Sequence, residues 1–311
     1  MKKQKKNKSA PSCYFPLSNS NTNTITIRPR AGLINHMILL SDGRIASATN
    51  DGSIQIIDYL KEKIDYSISA SNIGGVYYLK EIEQSNLLCA TKPGILKSFL
   101  LHKTSFSKGF DIKDAHKDRI NMIINLPNYS YATCSDDCDI KIWNSNTLRG
   151  TISNQGLMVN GIVYLQNNII VSANEDSTVS FYSLETFRLV HVIKNVISHT
   201  GGIYLSSTNK LLIGYSENIT VINSLTCQIE TVLIVSFLFG FNSIVEYNTN
   251  KFLCASNVNI CELDITKGKI KQPYNTLHNS KINCIISLGN NTFATGGNDR
   301  EIKIWRYNNT L

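Results

Sequence analysis

The chain has 311 residues, with 31 Lys+Arg against 23 Asp+Glu, a formal charge of +8 and 42% apolar residues. That is enough to bury a large core in one or two domains. With 6 Pro and 18 Gly it is neither collagenous nor Pro-rich, and its apolar content excludes global disorder.

In chain order, the first feature is a lysine run. Residues 1–8, MKKQKKNK, hold Lys2, Lys3, Lys5, Lys6 and Lys8 and no acid, which leaves 26 bases against 23 acids in the remainder, a net of +3. The basicity therefore sits in a tail, and residues 1–22 are expected to be a disordered basic leader. Such a run suits RNA, a ribosome, an acidic membrane or an import receptor; the plainer alternative is a solvated terminus. No apolar stretch of about 7–15 residues follows it, so it does not read as a secretory signal.

Thr24-Ile-Thr-Ile27 alternates as a strand should, and residues 23–29 are expected to be a strand. After it comes a pattern that occurs seven times: an apolar strand, a short polar turn, a second strand rich in small residues and a third, alternating strand. The first turns are Ser41-Asp42-Gly43, Gln84-Ser85-Asn86, Pro127-Asn128, Asn167-Asn168, Thr208-Asn209, Thr249-Asn250 and Asn290-Asn291. These residue types accept left-handed backbone or local side-chain hydrogen bonds. The third strands end at Ile57, Phe99, Trp143, Tyr182, Ile222, Leu263 and Trp305, at intervals of 42, 44, 39, 40, 41 and 42 residues. That period fits a four-stranded blade, and the class is all-β. The longest apolar run, Val232–Phe241 with Ser236 inside it, is too short for the ~20 residues of a membrane span and reads as two buried strands around a turn. Six residues follow Trp305, too few for another strand, so residues 23–29 are expected to supply the outer strand of the seventh blade.

Residues 114–143, DAHKDRINMIINLPNYSYATCSDDCDIKIW, and 276–305, TLHNSKINCIISLGNNTFATGGNDREIKIW, resemble WD40 repeats. Blades 1 and 4 keep Asp51 and Asp176 at the corresponding place, whereas blades 2, 5 and 6 fit weakly. The resemblance implies a seven-bladed β-propeller over residues 23–311, closed by the N-terminal strand. It also implies a hydrogen-bonded tetrad, expected in blade 3 as His116, Ser135, Asp137 and Trp143. Blade 7 has Gly297 where blade 3 has Ser135, so its network is expected to be incomplete.

Eight cysteines (Cys13, Cys89, Cys134, Cys138, Cys227, Cys254, Cys261, Cys284) in a chain without a secretory signal argue for reduced thiols. Their spacing lacks the paired CxxC of a zinc module. No metal or cofactor is expected, and the expected location is cytoplasmic, with the nucleus as the alternative. His116, His199 and His278 share one repeat position, as do Asp51, Asp137, Asp176 and Asp299; a repeat explains both sets better than catalysis does. There is no G-x-S-x-G, P-loop or H-E-x-x-H, so the expectation is no enzyme.

The remaining chemistry is surface. Asn50, Arg119, Asp136, Glu175, Asn298 and Arg300 flank the tetrad positions, and by the resemblance this rim receives protein partners. Arg119 and Arg300, with Arg30, are a thin basis for phosphate binding. Asn35, Asn121, Asn160, Asn242 and Asn283 each follow a first-strand apolar residue and are expected to ring the central channel and hold water. The favoured function is a non-catalytic scaffold for protein–protein interaction within a larger complex. The alternatives are an RNA- or ribosome-associated module recruited by the lysine tail and, less favoured, a propeller hydrolase.

Overall fold

The computed structural model describes residues 24–29, 32–83, 85–154, 156–196, 202–215, 218–234 and 241–306. Lys2, Lys3, Lys5, Lys6, Lys8, Arg30 and His199 lie outside these, as do the leader and the turn inside the Val232–Phe241 run. Twenty-eight strands and no helix occur among the described residues, and hence no helix long and apolar enough to cross a membrane.

The first strand is β1 (Ile25–Ile27). Blade 1 is β2 (Ile34–Leu39), β3 (Ile45–Thr49), β4 (Ser53–Asp58) and β5 (Lys63–Ser69). Blade 2 is β6 (Val76–Glu83), β7 (Asn86–Thr91), β8 (Ile95–Leu101) and β9 (Phe106–Ile112). Blade 3 is β10 (Ile120–Asn125), β11 (Ser130–Ser135), β12 (Asp139–Asn144) and β13 (Thr147–Ser153). Blade 4 is β14 (Val159–Leu165), β15 (Ile169–Asn174), β16 (Val179–Ser183) and β17 (Leu189–Ile193). Blade 5 is β18 (Ile203–Leu205), β19 (Lys210–Tyr215), β20 (Asn218–Asn223) and β21 (Gln228–Ile234). Blade 6 is β22 (Phe241–Asn248), β23 (Lys251–Ser256), β24 (Asn259–Asp264) and β25 (Lys269–Asn275). Blade 7 is β26 (Ile282–Gly289), β27 (Thr292–Gly297) and β28 (Ile302–Arg306), and its fourth strand is β1. Each is an antiparallel meander, and β1 meets β28 with Ile25 opposite Ile304 and Ile27 opposite Ile302.

Each hairpin between first and second strands turns on a residue with positive φ: Gly43, Ser85, Asn128, Asn168, Asn209, Asn250 and Asn291. Gly and Asn tolerate this region best. Second strands are sandwiched inside their sheets, so their small residues lie buried along their length, as in Ile45–Thr49. The apolar side chains gather in seven clusters, each between two adjacent blades. One of them joins Ile27, Cys284 and Ile302 of blade 7 to Ile34, Ile45 and Ile57 of blade 1, so the ring has no open seam. Polar clamps add to this: Glu81 of blade 2 accepts from Ser41 N and Oγ of blade 1 at 2.7 and 2.8 Å. Glu246 of blade 6 does the same for Ser207 of blade 5 at 2.8 and 2.9 Å.

One expectation holds only in part: the Val232–Phe241 run does touch two strands, since β22 begins at Phe241, but its opening stretch is not a buried strand. It ends β21, the outermost strand of blade 5, where Val232 is 42% and Ile234 75% exposed while Leu233 between them is buried. An outer strand packs one face only, so alternation there sends apolar side chains into solvent.

Candidate interaction rim and central cavity

In blade 3 the loop before β10 delivers His116, buried, onto the sheet. Its Nδ1 lies 2.9 Å from Asp137 Oδ2, and its Nε2 lies 2.7 Å from Thr133 Oγ1. Trp143 Nε1 donates to the same hydroxyl at 2.9 Å. With Asp137 ionised, Nδ1–H donates to the carboxylate, Nε2 accepts from Thr133 O–H, and that oxygen accepts from the indole. The bridging hydroxyl is therefore Thr133 and not Ser135. Ser135 instead donates to Asp118 O at 3.3 Å and accepts from Asp137 N at 3.0 Å, which pins the turn. Period-2 alternation puts residues 133 and 135 on one face, but only residue 133 lies deep enough to reach both rings. Burial on its own would raise the Asp137 pKa; hydrogen bonds from His116, Lys117 N and Asp139 N, with the attraction of the imidazole, hold it well below the usual carboxylate range.

The blade 7 network is incomplete, as expected, but the gap is not at Gly297. The absence of a side chain at Gly297 does not break the histidine's contacts, because Thr295 supplies the hydroxyl at 2.9 Å from His278 Nε2 while Asp299 holds Nδ1 at 2.7 Å. The gap is at the indole: Trp305 Nε1 is buried without a partner. In both blades a third-strand lysine, Lys141 or Lys303, donates to the carbonyl just before the histidine, Ala115 or Leu277. Blade 1 keeps the hydroxyl at the Thr133 register, Ser47, with Ile57 in the tryptophan slot, and Ser47 Oγ has no partner. Blade 4 replaces the network with Ser172, Asn174, Thr178 and Ser180, joined through Asn174 at 2.8–2.9 Å.

Above these networks, Asn50, Asp136, Glu175 and Asn298 each directly follow a second strand, so they occupy one slot of the repeat on one rim. Asn50, Asp136 and Asn298 bond within their own blade. Asn50 Oδ1 accepts from Leu33 N at 2.6 Å, Asp136 from Asn121 Nδ2 at 2.7 Å, and Asn298 from Asn283 Nδ2 at 2.7 Å. Arg119 reaches Asn121 Oδ1 at 2.9 Å and Asp136 at 3.4 Å. Asn50, Arg119, Glu175 and Arg300 are exposed, and Asp136 and Asn298 half-buried. The structure thus brings Arg119 together with Asp136, while Asn50, Glu175 and Arg300 stand on separate blades. Sequence reasoning missed the apolar members of this rim, the exposed Ile73, Met158 and Leu277 in loops leading to first strands. Lone loop residues carry no periodicity that would have flagged them.

Asn35, Asn121, Asn160 and Asn283 do ring the central cavity, as expected, but three of them are also tied into the blades. Asn35, Asn121 and Asn283 each sit where the first strand skips register against the second. A bulge re-aims its extra residue, and here the amide turns toward the next blade. Asn35 donates to Val76 O at 2.8 Å, Asn121 to Val159 O at 2.9 Å and Asn283 to Ile34 O at 2.7 Å. Asn160 has no such partner among the described residues, and the side chain of Asn242 lies outside them.

These strands enclose a central cavity of about 810 Å³, lined from all seven blades, with Arg119 and Asn298 of the rim in its wall. Burial pushes the thiols of Cys89, Cys261 and Cys284 up to about 12, so they act as small apolar residues in the core.

Residues 110–144 and 271–306 match the family model described as WD domain, G-beta repeat, the two stretches that hold the His–Thr–Asp networks. No curated protein matches the chain.

Proposed function

The chain is a WD40-repeat β-propeller, and from that premise we propose that it is a non-catalytic scaffold holding protein partners on the rim around its central cavity. The composition of that rim carries the reading. Ile73 at 75% and Leu277 at 60% exposure stand on the same rim as the exposed charges of Arg119, Glu175 and Arg300, and apolar anchors with charged neighbours are the make-up of a binding surface. Arg300 supports it further. It holds a φ of +64° in a turn where blades 1 and 2 place Gly52 and Gly94, a conformation that costs a side chain about 1 kcal/mol. The residues that resemble catalytic groups are consumed, since both ring nitrogens of His116 and of His278 are bound within the blade.

The opposite rim also exposes Leu60, Tyr129 and Leu225, so the test compares the two. Affinity capture would use the full chain, a rim variant (Ile73→Ser, Glu175→Lys, Arg300→Gly), an opposite-rim variant (Leu60→Ser, Tyr129→Ser, Leu225→Ser) and a deletion of residues 2–8, at about 0.05 and 0.2 M salt. Partners lost only with the rim variant are expected. Partners kept by that variant overturn the reading, and capture that vanishes with the lysines and falls steeply with salt moves it to RNA or a ribosome.

A further inference from the structure

The wall of the central cavity is mostly apolar and aromatic, with Met37, Tyr77, Tyr78 and Tyr204 among its residues. Its volume of about 810 Å³ lies within the ~300–1,000 Å³ of small-molecule sites. Two cations line it, Lys80 and Arg119, and among the described residues no Asp or Glu does. Arg119 is answered by Asp136 at 3.4 Å. Lys80 has no hydrogen-bond or ion-pair partner among the described residues, and burial pushes its pKa down. Its sequence neighbour Glu81 is occupied by Ser41 and by Ser85 N.

His36, facing Lys80 from blade 1, completes the constellation. Its Nδ1 accepts from Leu79 N at 3.3 Å, so the neutral ring carries its proton on Nε2 and has a donor to spare. The ring is stacked on Tyr78 with centroids 4.1 Å apart. Burial first, then Lys80, hold His36 down to about 4, so it stays neutral.

Lys80 is half-buried, and a partly desolvated ammonium without a counter-ion gains from an anion arriving beside it. We propose that the central cavity binds a small organic anion, with its carboxylate or phosphate group at Lys80 and its apolar body against Tyr78, His36 and Met37. The site is independent of the rim reading, because neither Lys80 nor His36 belongs to the rim.

The test uses the purified full chain, titrated by calorimetry with octanoate, octyl phosphate and octanol, with melting temperatures followed in parallel. Saturable one-site binding of one or both anions and a rise in melting temperature are expected, and the tighter of the two identifies the head group. Lys80→Met keeps the volume and removes the charge. It should bind the anions at least about tenfold more weakly, bind octanol as the parent does, and melt no lower than the parent without ligand. Lys80→Arg should retain anion binding, which separates loss of charge from loss of fold. Absence of saturable anion binding, equal binding by Lys80→Met, or octanol binding as tightly as the anions overturns the proposal.

Discussion

Thr133 Oγ1 lies 2.7 Å from His116 Nε2 and 2.9 Å from Trp143 Nε1, and it serves both as donor to one ring and acceptor from the other. Thr133→Val preserves shape but strands two buried ring nitrogens, each at a cost of about 1–3 kcal/mol. Urea unfolding should show a loss of about 2–4 kcal/mol for Thr133→Val and about 1 kcal/mol for Ser135→Ala; the reverse order would restore Ser135 to the network. A second residue-level effect belongs to His36. Its folded pKa, about 4, is below the ordinary imidazole value of 6.5, so between those limits the unfolded chain binds a proton that the folded chain does not. Stability therefore rises with pH across that window, by up to about 1.4 kcal/mol per pH unit from this group. His36→Gln should flatten the slope between pH 4 and 6.5 by one proton's share. The slope should not vanish, because burial lowers His278 in the same direction. An unchanged slope would place His36 in water.

At the scale of elements, much was legible because strand and turn chemistry is local. Asn128, Asn168, Asn209 and Asn250 hold φ near +58° in turns that their residue types predict, and the third strands fall where the period puts them. What was not legible depends on depth or direction within an element. Ser135 and Thr133 satisfy the same period-2 pattern, and only the reach of an imidazole from a loop decides between them. The recurrence of Asn35, Asn121 and Asn283 was visible in the chain. Their task was not, because a bulge turns each amide sideways to the next blade. Lys80 gave no signal at all: it sits in one blade, without a repeat-mate, and its lack of a counter-ion is a property of the assembled ring.

At the scale of the molecule, the ring is joined through three residue pairs, Ile25 with Ile304, Thr26 with Lys303 and Ile27 with Ile302. Ile27 is buried in the cluster that packs blade 7 on blade 1, and Arg28 adds an ion pair to Glu301 at 2.7 Å. That pair is exposed on the arginine side and contributes little, so the backbone ladder and the Ile27 burial do most of the sealing. Removing β1 leaves the N–H and C=O groups of β28 as a bare edge beside Ile302 and Ile304, a template for pairing with another chain. Deleting residues 1–29 should therefore give aggregated protein on size exclusion, whereas deleting residues 1–10, which leaves β1 in place, should give soluble monomer. If both truncations remain equally soluble, the three-residue strand is dispensable and the ring is held by the packing of blades 7 and 1 alone.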